Sequence, residues 1–233
     1  MNIDYTEIDE HIEENPEWVY EYCQQKLKTS DSVLNEPEFL WRLAKACMLR
    51  ANKLSRKDPN RKALISEGRT YATKAYALDE ASFEALRWTT ILTGAETEYL
   101  GIKEKAHQGK LFKDYLDKAI EVDPKEHVLL HLRGRFNYEV SNLSWLERKI
   151  CNTLFSTLPN PSIDDALSDF LEAEKNNQKT WAENQLFVAR CYLAKKQKQL
   201  AKEFLDKVEA STETDDNIRE ALCNVQQMIA KMK

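Results

Sequence analysis

The chain has 233 residues with 5 Gly and 6 Pro, a net charge of −5, and 31% charged against 42% apolar side chains. So few chain breakers exclude a fold built on tight hairpins, because β-turns draw on Gly, Pro and Asn-Gly pairs. The charge and apolar content is that of a folded chain and excludes global disorder. The acidic balance argues against a general nucleic-acid binder, and no apolar stretch reaches the roughly 18 residues that a membrane span needs.

Residues 1–21 carry eight carboxylates and no Lys or Arg. Signal and transit peptides have the opposite charge, so neither is expected. Asn15-Pro16 places proline in a first helical turn and predicts one helix from Pro16 to Lys28. Residues 1–35 therefore read as an acidic N-terminal helical segment. Glu36-Pro37 opens the next helix in the same way.

From there the apolar spacing is helical. Phe112, Leu116, Ala119 and Ile120 share one face, and Leu129, Leu132, Phe136 and Val140 another. Further stripes are Ile163, Ala166, Leu167, Phe170 and Leu171; Leu200, Ala201, Phe204, Leu205 and Val208; and Ile218, Ala221, Leu222, Val225 and Ile229. All recur at steps of three and four. Thr180-Trp-Ala-Glu183 fits a capping box, and Ser162-Ile-Asp-Asp165 is a weaker version of it. Val122-Asp123-Pro124 and Pro159-Asn-Pro161 interrupt the helices, because proline lacks an N–H and restricts the residue before it.

Four segments share a register of small, large, small residues: Gly68, Ala72, Ala75; Phe112, Leu116, Ala119; Ala166, Phe170, Ala173; and Ala201, Leu205, Val208. The second departs by carrying Phe at the first position. Small residues let one helix lie close on the next, and Gly134 and Ala189 occupy the matching small position of a preceding helix. The spacings between last members are 44, 54 and 35 residues, against about 34 for a tetratricopeptide repeat. The expected fold is all-α, a tetratricopeptide-like α-solenoid with irregular long repeats and helical insertions. It covers residues 36–233 as one domain, with a C-terminal capping helix ending near residue 231.

The segments Glu36-Pro-Glu-Phe-Leu-Trp41-Arg-Leu-Ala44, Phe112 to Pro124, Leu132-Arg-Gly134-Arg-Phe136 and Ser144-Trp-Leu-Glu-Arg-Lys149, in that succession, resemble the regulator of microtubule dynamics family. The Ser144–Lys149 insertion is not a generic repeat feature. The resemblance runs from about residue 36 to the C-terminus. It implies microtubules or tubulin as the partner, a role in spindle assembly and chromosome segregation, and a place in the cytoplasm, on the cytoskeleton and at spindle poles. Some family members instead carry a membrane anchor, act at organelle contacts and hold phospholipid in the repeat domain.

Charge points to a contact surface. Residues 1–44 sum to −8, whereas residues 45–62 sum to +6. Tubulin is acidic, and charges beyond about 8 Å are screened at physiological salt, so attachment needs a local basic patch. The expected microtubule contacts are Arg50, Lys53, Arg56, Lys57, Arg61 and Lys62; the plainer reading is a solvated turn between helices. The acidic residues 1–22 are expected to fold back on this run. Lys103, Lys105, Lys110 and Lys113, and Lys195, Lys196, Lys198 and Lys202, read as solvated faces.

The aromatic residues suggest a groove lined by Trp41, Trp88, Leu132, Phe136, Trp145 and Phe155, with Arg133, Arg135 and Arg148 at its mouth to meet an anionic ligand. Such a groove takes a lipid acyl chain or a partner peptide; plain packing between helices is the alternative. The segment 141–161 carries more apolar residues than a repeat requires and is expected to lie across the solenoid. His127 and His131 are one turn apart, but no third ligand stands out, so no metal is expected. Phosphate-loop and nucleophile-elbow motifs are absent, so neither an enzyme nor a cofactor is expected. The five scattered cysteines read as reduced, buried thiols.

Overall fold

The structure is a computed structural model, and it describes residues 3–153, 159–211 and 216–231. The described residues form twelve α-helices. They are α1 (Tyr5–His11), α2 (Pro16–Thr29), α3 (Pro37–Asn52), α4 (Pro59–Leu78), α5 (Phe83–Glu96), α6 (Ile102–Val122), α7 (His127–Ser141), α8 (Trp145–Asn152), α9 (Ile163–Asn176), α10 (Ala182–Ala194), α11 (Lys198–Ala210) and α12 (Asp216–Lys231). They divide into two compact units, residues 1–115 and 116–233, and the division falls inside α6.

In the first unit α3 packs on α2, α4 and α5. Its Phe39, Leu40, Leu43, Ala44, Ala46, Cys47 and Ala51 are all buried, so it is apolar on almost every side. Gly68 explains how closely α4 approaches: a Cβ there would stand 2.8 Å from the Cys47 Cβ. The N-terminal segment holds two helices rather than the one expected. Asp4 accepts from the Thr6 and Glu7 amides and starts α1, and Asn15 accepts from the Trp18 amide and starts α2. The extra helix escapes a periodicity count because its apolar contribution is mainly Ile8 and the following Ile12, both buried.

In the second unit α7 packs on α9, and α10 packs on α9, α11 and α12. Phe170 (α9) and Phe187 (α10) stack with ring centres 5.2 Å apart. A further core joins Leu186, Ala189 and Leu193 to Ala201, Leu205 and Val208, and to Val225 and Ile229 of α12. Gly134 makes the α7–α9 seam possible, since a Cβ there would lie 2.8 Å from two atoms of the Phe170 ring.

The start signals rank differently from their sequence strength. Ser162 and Asp165 form the reciprocal capping box on α9, and Ser144 with Glu147 forms another on α8. The Thr180–Glu183 box does not form. Trp181 is the cap residue of α10 and gives it no side-chain bond. The Trp181 ring packs 4.3 Å from that of His131, and Glu183 reaches Arg135 at 3.5 Å instead of turning back. Tertiary packing sets this helix start.

Candidate functional site

The basic run of the first unit lies along the end of α3, the turn after it and the start of α4. Its members have different surroundings. Glu17 of α2 accepts from Arg50 Nε at 2.7 Å, and the guanidinium lies 3.9 Å from the centre of the Tyr20 ring. Glu13 pairs with Lys45 at 2.5 Å. One step earlier, Asp9 takes both Arg42 Nε and Nη2 at 2.7 Å. Three acids spaced four apart thus meet three cations on α3. Asp9, Glu13 and Glu17 lie against α3, and of the cations expected as contacts these ion pairs include Arg50.

They are part of a packed interface. Ile8, Ile12, Val19 and Cys23 are buried beneath them, and Glu67 of α4 accepts from Tyr20 and Gln24. Burial and the Glu67 carboxylate push the Tyr20 hydroxyl up to about 12. Arg61 is 7% exposed. It donates to the Tyr99 hydroxyl and lies 3.6 Å from Glu98, so it faces into the unit. Lys53, Arg56, Lys57 and Lys62 are exposed. Asp58 accepts from the Asn60 amide, capping α4 and fixing the turn that carries them.

The residues expected to line a groove fall in several places. Trp41 and Trp88 are buried in the first unit. Their indole N–H groups donate to Glu38 and Glu84, each at 3.1 Å. In the second unit Leu132 is buried and Phe136 half-buried. Arg133 donates twice to the buried Asp169, at 2.9 and 2.7 Å, and Asn137 donates to its other oxygen. Arg148 donates to the Val140 carbonyl and to Asn160, tying α8 to its flanking segments. Trp145 is 76% exposed and Leu146 60%, so this pair stands outside the apolar stripes. Lys149 lies 5.4 Å from the Trp145 ring centre. Leu154 and Phe155 lie outside the described residues.

Sequence reasoning missed the polar group inside the second unit. His131 Nδ1 stands 2.9 Å from Asn184 Oδ1. Asn184 uses its amide hydrogens on the Phe170 carbonyl and on Glu174. Its oxygen is therefore the acceptor, and His131 carries its proton on Nδ1. Burial lowers the imidazole to about 4, so the ring is neutral near pH 7. His127 packs edge-on against Trp181, with ring centres 5.8 Å apart. Cys23, Cys47, Cys151 and Cys191 are buried and Cys223 is exposed. Burial pushes the Cys23 and Cys191 thiols up to about 12, which keeps them unreactive.

The family described as "Regulator of microtubule dynamics protein 1-3" matches residues 4–233. The chain belongs to this family. It is 46% identical over 170 residues to regulator of microtubule dynamics protein 1 of Caenorhabditis elegans, covering 73% of this chain and 74% of that one. It is 32% identical over 217 residues to the Bos taurus protein of the same name, covering 90% and 68%. It also matches regulator of microtubule dynamics protein 2 of Bos taurus at 36% identity, but spans only 40% of that longer relative. A thermophilic tetratricopeptide repeat protein of Thermus thermophilus shares the architecture at TM-score 0.60 and 14% identity, over 91% of each chain. That likeness establishes the tetratricopeptide-like α-solenoid class. Among the described residues no helix is long and apolar enough to cross a membrane.

Proposed function

We propose that this chain attaches to the acidic microtubule lattice through the turn between α3 and α4 and the first turn of α4, using Lys53, Arg56, Lys57 and Lys62. The observation that carries the reading is the sorting of charge along the run. Arg50 is held by Glu17 and Tyr20, and Arg61 is turned into the unit against Tyr99 and Glu98. Lys53, Arg56 and Lys57 are exposed along the turn before α4, and Lys62 is exposed in the first turn of α4. Arg50 and Arg61, expected as contacts from sequence, act in this reading as supports of the turn.

No reaction is involved; attachment is electrostatic and local, and the net charge of −5 gives no long-range steering. The protein works in the cytoplasm on the cytoskeleton, at the spindle and its poles, during spindle assembly and chromosome segregation. The test is co-sedimentation of the full chain with stabilised microtubules. Reversing Lys53, Arg56, Lys57 and Lys62 to Glu is expected to weaken pelleting by on the order of tenfold, equivalent to about 1.4 kcal/mol, in a protein with unchanged melting temperature. Equal pelleting by the reversed variant overturns the assignment.

A further inference from the structure

The turn that joins α3 to α4 holds a serine among its cations, in the order Lys53-Leu54-Ser55-Arg56-Lys57. Ser55 is exposed and lies outside both helices, between Asn52 and Pro59. The backbone around it is shaped by its own turn bonds. The Leu54 amide donates to the Ala51 carbonyl, and the Asp58 amide donates to the Ser55 carbonyl. The Ser55 hydroxyl accepts from the Lys57 amide at 3.3 Å, a long bond that is readily given up.

Other hydroxyls of the described residues have different settings. Ser144 and Ser162 cap helices and donate to Glu147 and Asp165 at 2.6 and 2.8 Å. Thr70 is exposed but stands within α4, where it donates to the Ser66 carbonyl. Ser30 and Ser32 bond to one another on either side of Asp31. Modifying enzymes, like proteases, take their substrate segments where the chain is exposed and outside regular structure. Ser55 meets that condition and has Lys53 two residues before it and Arg56 and Lys57 directly after it, all exposed.

We infer that Ser55 is a phosphorylation site for a kinase whose acidic groove selects serines flanked by Lys and Arg, and that a phosphate there weakens the lattice contact. Ser55 Oγ attacks the γ-phosphorus of ATP. The Oγ–P bond forms, the bond from that phosphorus to the β-phosphate oxygen breaks, ADP leaves, and the hydroxyl proton passes to the base of the kinase. Phosphoserine carries about −1.5 to −2 charges at pH 7. It stands one residue from Arg56 and two from Lys53 and Lys57, inside the screening length of about 8 Å. Phosphate oxygens accept charge-assisted bonds from guanidinium and ammonium groups. Cations that would meet an acidic lattice are then met by a charge of the chain itself. The helices keep their ends, because Asp58 and not Ser55 caps α4. The weakening rests on the microtubule reading; the modification site does not.

The experiment treats the full chain with ATP, Mg2+ and the catalytic domain of protein kinase C, which has that preference. Mass spectrometry locates the phosphate, and co-sedimentation with stabilised microtubules follows. Wild type is expected to take phosphate at Ser55 and then to pellet about threefold more weakly, the loss of one or two exposed ion pairs, with its melting temperature unchanged. Ser55→Ala after the same treatment is expected to pellet like unmodified wild type. The variant with Lys53→Gln, Arg56→Gln and Lys57→Gln is expected to lose most of the phosphorylation at Ser55. Absence of phosphate on Ser55 of wild type, or equal phosphorylation of the triple Gln variant, overturns the site. Equal pelleting of modified and unmodified wild type overturns the weakening alone. Unmodified wild type that does not pellet overturns the lattice reading and the weakening together, and phosphate on Ser55 of that chain still supports the site.

Discussion

In the first unit α3 is flanked by polar contacts at its rim, whereas in the second unit α7 is held by polar groups inside the core. Asp9, Glu13 and Glu17 meet Arg42, Lys45 and Arg50 around a buried apolar interface. His131 instead sits 2% exposed among Trp181, Phe170 and Phe187, bonded to Asn184. The first unit thus ties α3 with ion pairs whose acids are open to solvent, and the second holds α7 with a neutral imidazole in the core and the Arg133–Asp169 pair beside it. The first unit should answer to salt and to the removal of its N-terminal helices, and the second to pH.

The sharpest break of this contrast is deletion of residues 1–29. Were the acidic segment a loose tail, its loss would free the α3 cations at little cost. Ile8, Ile12, Val19 and Cys23 are buried, however. At roughly 2 kcal/mol for each buried apolar side chain, deletion should destabilise the first unit by at least about 5 kcal/mol. A large fall in melting temperature by circular dichroism checks this; an unchanged melting temperature would show that the ion pairs, not the packing, make the contact.

Next in size is the pH response of the second unit. Unfolded, an imidazole takes its proton near pH 6.5; folded, His131 does so only near 4. Between those values the unfolded state binds more protons, so stability falls as pH falls. The loss approaches about 3 kcal/mol at the acid end of that window. Urea titrations should show this slope in wild type and its absence in His131→Gln. A smaller effect is expected from Gly134→Ala. The Phe170 ring beside it is pinned by Phe187 and His131, so it cannot give way, and the cost is about 1–2 kcal/mol despite the better helix propensity of Ala. The least change in stability, within about 0.5 kcal/mol, is expected from reversing the four exposed turn cations.

The fold was legible because the register of small and large residues specifies which helix faces touch. Gly134 against Phe170 and Gly68 against Cys47 are contacts of the kind that spacing implies. Start signals were less secure. The Thr180–Glu183 pattern lost to the packing of Trp181 on His131, which a local motif does not contain. The basic run was visible as a sum of charges, but the fate of each member was not. Arg61 meets Tyr99 across 38 residues and Arg50 meets Glu17 across 33, and a count along the chain cannot report partners so distant. Trp145 reads as core by residue type, yet α8 presents it outward while burying Cys151.

The most direct measurement is microtubule co-sedimentation of the full chain at low and physiological salt, wild type beside the variant with Lys53, Arg56, Lys57 and Lys62 reversed to Glu. The account predicts that wild type pellets, that pelleting weakens as salt rises, and that the reversed protein stays in the supernatant with its melting temperature unchanged. Pelleting of the reversed protein equal to wild type at both salts would contradict it.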